Sequence, residues 1–372
     1  MPKIVYSSNE GKLYFFNFSL WRMMQTKPLF YAPNNRKFIC NSLSDAIKNG
    51  IDSNSKIFIY GIKRFADVEE FASRNSIKVY RVEDAFIRSV ALGSSFSRPY
   101  SLGVDSRGVY FDPRKESDLE YIIQNYNFTD ELLERAKNLR EKIIEYRLSK
   151  YNHLAHSKVD ITSGFDKRIL VIGQVSDDMS IKYGAFGLDN SDLLEIVREN
   201  NPHSFIIYKP HPDVLSKNRD GAISKGVLKK CANLVIENIS IDSAIDSVDE
   251  VHTLTSGAGF DALLRGKKVF TYGMPFYASW GLTTDYRDCK RRTRKVSLDE
   301  LVSATLILYP RYISPKTLKF CEVEQTIEEL KEQQDRYFND KLYQFYVNTK
   351  GYMLPRARRL VRRALKPFNI KI

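Results

Sequence analysis

Two short apolar runs, Ile169 to Ile172 and Phe205 to Tyr208, each stop abruptly at a polar motif. Gly173-Gln174-Val175-Ser176-Asp177-Asp178 follows the first, and Lys209-Pro210-His211-Pro212 follows the second. Such runs are too short for buried helices and suit the strands of a parallel sheet, whose two covered faces demand continuous apolar residues. Strand candidates fall at 168–173, 204–209, 233–237, 251–255 and 268–272. Helical stretches lie between them, from Ser191 to Glu199, Asp242 to Val248 and Gly259 to Arg265. Alternation at roughly 30-residue spacing predicts βαβ units. In open sheets of that kind, ligands bind beyond the carboxyl ends of the strands. Two polar motifs at consecutive strand ends therefore point to an active site.

The first part of the chain shows the same alternation. Strand-like segments at 56–61 and 78–82 flank an amphipathic stretch from Asp67 to Asn75. Residues 101–111 read as a hairpin turning near Ser106-Arg107-Gly108, and Asp130 to Ser149 as a long helix. Tyr151 to Asp166 is polar and aperiodic, which places a boundary there. The expected domains are 1–150 and 151–330, with a helix and basic tail over 331–372. A chain of 372 residues suits two such cores. The fold expected is α/β, with two Rossmann-like domains around a cleft, resembling the GT-B architecture.

The net charge of +13 lies in two places. Residues 287–295 hold six bases and one acid, and residues 350–372 hold eight bases and no acid. The remainder is formally neutral, so specific anionic partners are favoured over general nucleic-acid affinity. From Pro355, apolar Leu360, Val361, Ala364, Leu365 and Phe368 fall on one helical face and bases on the other. That pattern predicts a helix lying on an anionic membrane surface. With no ~20-residue apolar run and no signal-like start, the expected location is cytoplasmic, peripheral to the inner face of the cytoplasmic membrane. Cys40, Cys231, Cys289 and Cys321 fit neither a metal site nor a disulfide framework.

The polar motifs suggest roles. One Asp after a strand ordinarily caps the next helix, but two adjacent carboxylates exceed that need. Asp177 is expected to cap or orient, and Asp178 to react. Prolines on both sides hold His211 rigidly, and an imidazole beside the Lys209 ammonium makes a phosphate clamp. Thr255-Ser256-Gly257-Ala258-Gly259 links a strand to a helix and offers hydroxyls and backbone N–H groups to a phosphate. Glu83-Asp84 ends an earlier strand and supplies an acid or base, with Arg88, Ser97 and Arg98 placed to hold a sugar carboxylate.

Together these residues resemble a known family. Glu83-Asp84-Ala85-Phe86-Ile87-Arg88-Ser89, Ser97-Arg98-Pro99, Gly173-Gln174-Val175 with Asp178, Lys209-Pro210-His211-Pro212, Thr255-Ser256 through Gly266, and Tyr272 through Asp285 are similar to the KpsC-type β-Kdo transferases of capsule and lipopolysaccharide biosynthesis. The resemblance spans about Val79 to Tyr312. Ala85 and Gly257 depart from its pattern, and one module stands here where the capsule enzymes carry two. The resemblance implies a retaining, metal-independent transfer of Kdo from CMP-β-Kdo to a lipid-linked or oligosaccharide acceptor by double displacement. Asp178 would be the nucleophile and Glu83 or Asp84 the acid/base. Gln174, Lys209, His211, Thr255, Ser256 and Gly259 would bind the donor, with no cofactor. A sialyltransferase-like CMP-sugar transferase is the alternative, and a non-catalytic polysaccharide-binding assembly factor a more distant one.

Overall fold

Strands form where the short apolar runs stand, and their pairing sorts the chain into two units. The computed structural model describes residues 6–92, 97–161, 164–215 and 219–365. In chain order the strands are β1 (Lys12–Phe16), β2 (Arg36–Cys40), β3 (Lys56–Tyr60), β4 (Lys78–Asp84) and β5 (Ser101–Asp105). Next come β6 (Arg168–Ile172), β7 (Phe205–Lys209), β8 (Leu234–Val235), β9 (Glu250–Thr253), β10 (Lys268–Thr271) and β11 (Thr284–Asp285). Last are β12 (Pro310–Ile313) and β13 (Phe320–Cys321).

The first unit holds Met1–Val109 and Tyr309–Ile372. Its sheet runs β13-β12-β5-β4-β3-β1-β2. Strands β2, β1, β3 and β4 are parallel, and β5, β12 and β13 continue the sheet antiparallel. Side chains alternate across a strand, so Leu13, Phe15 and Phe58 pack on one face while Tyr14, Phe16, Ile57 and Ile59 pack on the other.

The second unit is Tyr110–Leu308. Its sheet, β11-β10-β9-β6-β7-β8, is parallel throughout. From β6 the chain winds outward through β7 and β8, then returns to β9 and winds the other way. The reversal lies between β6 and β9, and a crevice opens at the carboxyl ends there.

The expected boundaries at 150 and 330 move to 109/110 and 308/309. Helices Asp118–Asn125 and Asp130–Glu145 belong with the second unit, where Glu120 pairs with Arg291 and Arg292 and Arg140 with Asp299. The chain then re-enters the first sheet because β12 pairs with β5. The hairpin expected over 101–111 does not form. Only β5 is a strand, and its neighbours are β4 and β12. The closing helix spans Lys341–Leu365, so it starts well before Pro355 and runs through it. Phe368 and Lys366 lie outside the described residues. No helix among the described residues is long and apolar enough to cross a membrane.

Candidate active site

Gln174 follows β6 and Thr255 follows β9, so the two flank the reversal point. Thr255 N–H donates to Gln174 Oε1 at 2.9 Å, and Gln174 Nε2 donates to Thr255 Oγ1 at 3.0 Å. The paired bonds fix the amide and latch the two strand ends. Thr255 Oγ1 donates onward to Ser180 Oγ at 3.2 Å, and Ser180 Oγ to Asp178 Oδ1 at 2.9 Å. A line of donors thus runs from the latch to one oxygen of Asp178. Gly173 precedes Gln174 because a Cβ there would lie 2.3 Å from the Tyr208 hydroxyl.

The capping role belongs to Asp178, a correction to the expectation that Asp177 held it. Asp178 has extended backbone immediately before helix Met179–Gly184, and its Oδ1 accepts from Ser180 N–H at 2.9 Å. Its Oδ2 lies 3.8 Å from Arg219 Nη1. Asp177 is exposed and holds Arg219 at 2.8 Å.

Lys209 ends β7 with only 4% of its surface exposed, and its Nζ donates to Ile239 O at 2.5 Å. Burial lowers its ammonium to about 8, against the opposing pull of Asp242. A lysine so placed ties the strand end to the loop before helix Ile241–Asp246. His211 is half-buried, and its Nδ1 accepts from Asp213 N–H at 3.1 Å. The neutral ring therefore carries its proton on Nε2, which has no protein partner among the described residues. Burial lowers the His211 pKa. Asp213 and Asp178 oppose that shift, while Arg219 and Lys150 reinforce it.

The Thr255–Gly259 turn leads into helix Ala258–Leu264. A Cβ on Gly259 would meet the Tyr277 hydroxyl at 2.1 Å, and that hydroxyl donates to Ser256 O at 2.5 Å. Gly259 thus admits Tyr277, and its N–H donates to Ser256 O at 3.1 Å. Gly257 borders open space.

Residues 151–156, part of the stretch read from sequence as a boundary, line the same region. His156 Nδ1 lies 2.9 Å from Asp242 Oδ2, and Arg147 Nε lies 3.5 Å from it. His153 Nδ1 is buried without a partner among the described residues, and burial pushes its pKa down to about 4. Burial raises the Asp261 carboxyl to about 6, with Arg265 opposing and Asp242 reinforcing. The available signal was two of the chain's five histidines only three residues apart. A separate cavity of about 670 Å³ sits at the amino ends of the strands, bordered by Lys167, Arg168, Asp249 and Glu250, away from these motifs.

In the first unit, Asp84 accepts from the Tyr60 hydroxyl at 2.7 Å and pairs with Arg88. Arg88 is 5% exposed and also donates to Ser89 and Ser97 at 2.9 and 2.7 Å. Arg98 donates to Gln25 O at 2.8 Å. Of the residues expected to hold a sugar carboxylate, Arg88 is buried and already has a carboxylate in Asp84, whereas Ser97 and Arg98 are only partly buried. Glu83 accepts from Asp84 N–H at 3.1 Å.

The family of capsule polysaccharide biosynthesis proteins matches residues 56–169 and 158–312. The chain belongs to this family, in its KpsC type. It is 43% identical over 331 residues to the capsule polysaccharide modification protein LipA of Neisseria meningitidis, covering 89% of this chain and 47% of LipA. It is 41% identical over 272 residues to the lipopolysaccharide-processing protein LpsZ of Rhizobium meliloti, covering 72% of this chain and 62% of LpsZ. The chain thus spans about half the length of LipA. Among solved structures, the β-Kdo 2,7 transferase of Thermosulfurimonas dismutans KpsC is 37% identical with a TM-score of 0.69, covering 86% and 99% of the two chains. The β-Kdo 2,4 transferase of the same protein is 28% identical with a TM-score of 0.73, covering 85% and 97%.

Proposed function

We propose that this KpsC-type chain is a retaining glycosyltransferase that moves Kdo from CMP-β-Kdo to a glycan or glycolipid acceptor in capsule or lipopolysaccharide biosynthesis. The observation that carries the reading is the line of donors from the Gln174–Thr255 latch to Asp178 Oδ1, which holds the carboxylate while Oδ2, 3.8 Å from Arg219 Nη1, is the attacking oxygen. Oδ2 attacks the anomeric carbon of the donor, a bond to carbon forms, and the phosphate oxygen of CMP leaves with the electron pair. The Nε2–H of His211 donates to that phosphate, with Ser256 and the open backbone at Gly257 beside it. An acceptor hydroxyl then displaces Asp178, its proton passing to a carboxylate base, and the second inversion restores configuration. The resemblance implies Glu83 or Asp84 as that base, and Asp84 also binds Tyr60 and Arg88. The charge that develops on phosphate is met by protein donors, so the scheme requires no metal. The basic C-terminal helix would hold the enzyme at the membrane surface, where a lipid-linked acceptor resides.

Two substitutions separate capping from catalysis. Asn caps helices about as well as Asp, whereas Ala costs about 1 kcal/mol. Asp178→Asn should keep the parent's thermal stability and lose transfer, while Asp178→Ala should lose both. Intact-mass spectrometry of enzyme with CMP-Kdo and no acceptor should show a gain of one Kdo on the peptide holding Asp178, absent in Asp178→Asn. An active Asp178→Asn, or an adduct on another carboxylate, sinks the assignment.

A further inference from the structure

Helix Leu20–Thr26, on the crossover from β1 to β2, turns apolar side chains both ways. Ser19 caps it, accepting from Arg22 N–H at 3.2 Å. Met23 packs into the core of the first sheet, and Leu29 and Phe30 of the next turn join it there. Leu20 and Met24 stand four residues apart, hence on one helical face, and point outward at 62% and 65% exposure. Tyr31, just past the turn Lys27–Phe30, is 60% exposed. One crossover thus leaves three large apolar side chains uncovered.

The charge around them has a single sign. From Gly11 to Ser44 the chain holds five bases and no carboxylate. Lys12 pairs with Asp52, and the Arg22 guanidinium lies 3.9 Å from the Tyr60 ring centroid. Lys27 and Lys37 make no ion pair among the described residues. Burial lowers the Lys37 pKa and the Lys27 ammonium lowers it further, so the two cations are neighbours. Apolar side chains beside unpaired bases complement a surface that is anionic outside and apolar beneath, which is the interface of an anionic bilayer. A nucleic acid offers the anions without the apolar layer.

The helix also begins at the carboxyl edge of the first sheet, next to the Glu83–Asp84 pair. Asn17, directly after β1, donates to Tyr60 O at 2.8 Å. Arg22 covers the Tyr60 ring, whose hydroxyl donates to Asp84 Oδ1 at 2.7 Å. The outward face of this helix is therefore linked through two side chains to a candidate acid/base.

We infer that Leu20, Met24 and Tyr31, with Lys27 and Lys37, form a membrane contact distinct from the C-terminal helix, which enters an anionic bilayer surface and holds the Glu83–Asp84 edge beside it. The use of that placement for a lipid-linked acceptor rests on the transferase reading above, whereas the bilayer contact rests on this patch alone.

Quenching by brominated lipid tests it on the whole chain. Trp21 adjoins Leu20, and the one other tryptophan, Trp280, is fully buried. Vesicles of phosphatidylglycerol and phosphatidylcholine with brominated acyl chains should quench the parent's emission, and brominated phosphatidylcholine alone should not. Trp21→Phe should remove the quenching, which assigns it to this helix. Leu20→Ser combined with Met24→Ser should lose at least about tenfold in vesicle affinity at the parent's Tm, since both side chains are exposed. Lys27→Gln combined with Lys37→Gln should lose about tenfold and show a weaker salt dependence. Leu342→Ser combined with Phe345→Ser should weaken binding yet leave Trp21 quenched at saturating lipid. An unquenched parent, equal quenching by phosphatidylcholine alone, a Leu20 and Met24 double variant that binds as the parent does, or quenching that vanishes at saturating lipid with the Leu342 and Phe345 changes would each overturn the contact. A dimer that the Leu20 and Met24 changes disperse, with Trp21 unquenched by lipid, assigns the patch to a second copy and overturns it as well. Quenching by a chain that transfers no Kdo leaves the contact standing and counts against the transferase reading alone. Kdo transfer by a chain whose Trp21 stays unquenched sinks the contact alone.

Discussion

Glu83 and Asp84 are neighbours on β4, yet their removal should have different consequences. Asp84 neutralises a buried arginine. Asp84→Ala leaves Arg88 with its serines but without its carboxylate, and losing one partner of a buried pair costs about 3 kcal/mol or more. Glu83→Gln keeps shape and hydrogen bonding, so thermal stability should hold while turnover falls roughly 10²–10⁴-fold if Glu83 is the proton acceptor. Thermal melts beside donor-consumption rates decide the matter. A stable Asp84→Ala, or a fully active Glu83→Gln, refutes the division of roles. His153 gives a prediction in pH. Its folded pKa of about 4 lies below the ordinary 6.5, so between those values the unfolded chain binds more protons. The neutral buried ring therefore costs nothing above pH 6.5 and destabilises progressively as pH falls toward 4. Relative to His153→Gln, the parent should lose on the order of 2 kcal/mol between pH 7 and pH 4.5. Parallel stability curves for the two proteins would show that His153 is not buried as a neutral ring.

At the scale of elements, legibility followed how local the cause was. Strands β6, β7, β9 and β10 stand within a residue or two of their expected places, because buried parallel strands are continuous apolar runs. Strands β11, β12 and β13 have two to four residues each and exist through pairing with distant partners, which no local pattern records. In the site, the motifs at strand ends were legible by position, whereas the Asp178 cap and the Gly259–Tyr277 contact depended on where the helices begin. The histidines of 151–156 were lost because an aperiodic stretch reads as a boundary. The C-terminal helix was legible in kind and not in extent. Leu342 is 83% and Phe345 70% exposed, and Tyr346, Met353 and Leu360 are exposed too. At 100° per residue these five lie within an arc of about 100°. The 25-residue helix carries no carboxylate. We expect this face to enter an anionic bilayer surface, each nearby base adding about 1 kcal/mol. The parent should float with phosphatidylglycerol-containing vesicles and not with phosphatidylcholine alone, and Leu342→Ser with Phe345→Ser should reduce flotation. Unchanged flotation of that double variant would remove the face from membrane binding.

Across the whole molecule, the local charge of 287–295 proves to be partly internal. Arg291 and Arg292 clamp Glu120, and Arg294 takes Glu300, so the segment's excess stands mainly on Arg287, Lys290 and Lys295. The same ion pairs explain why the second unit begins at Tyr110. A fragment 151–330 would omit Glu120 and leave Arg292, a buried guanidinium, without its carboxylate, at a cost of about 3–5 kcal/mol. It would also carry β12 and β13 without β5, exposing unpaired edges and apolar residues. The fragment Tyr110–Leu308 keeps the complete parallel sheet, the Glu120 cluster and the helices packed on it. It should therefore fold alone with a single cooperative thermal transition and bind CMP, since the latch, His211 and Asp178 all lie within it. The fragment 151–330 should show no cooperative transition and no CMP binding. Circular dichroism melts and CMP titration of both fragments provide the comparison. A cooperative 151–330 beside an unfolded 110–308 would mean that chain order, and not the pairing of Glu120 with Arg291 and Arg292 or of β12 with β5, sets the unit.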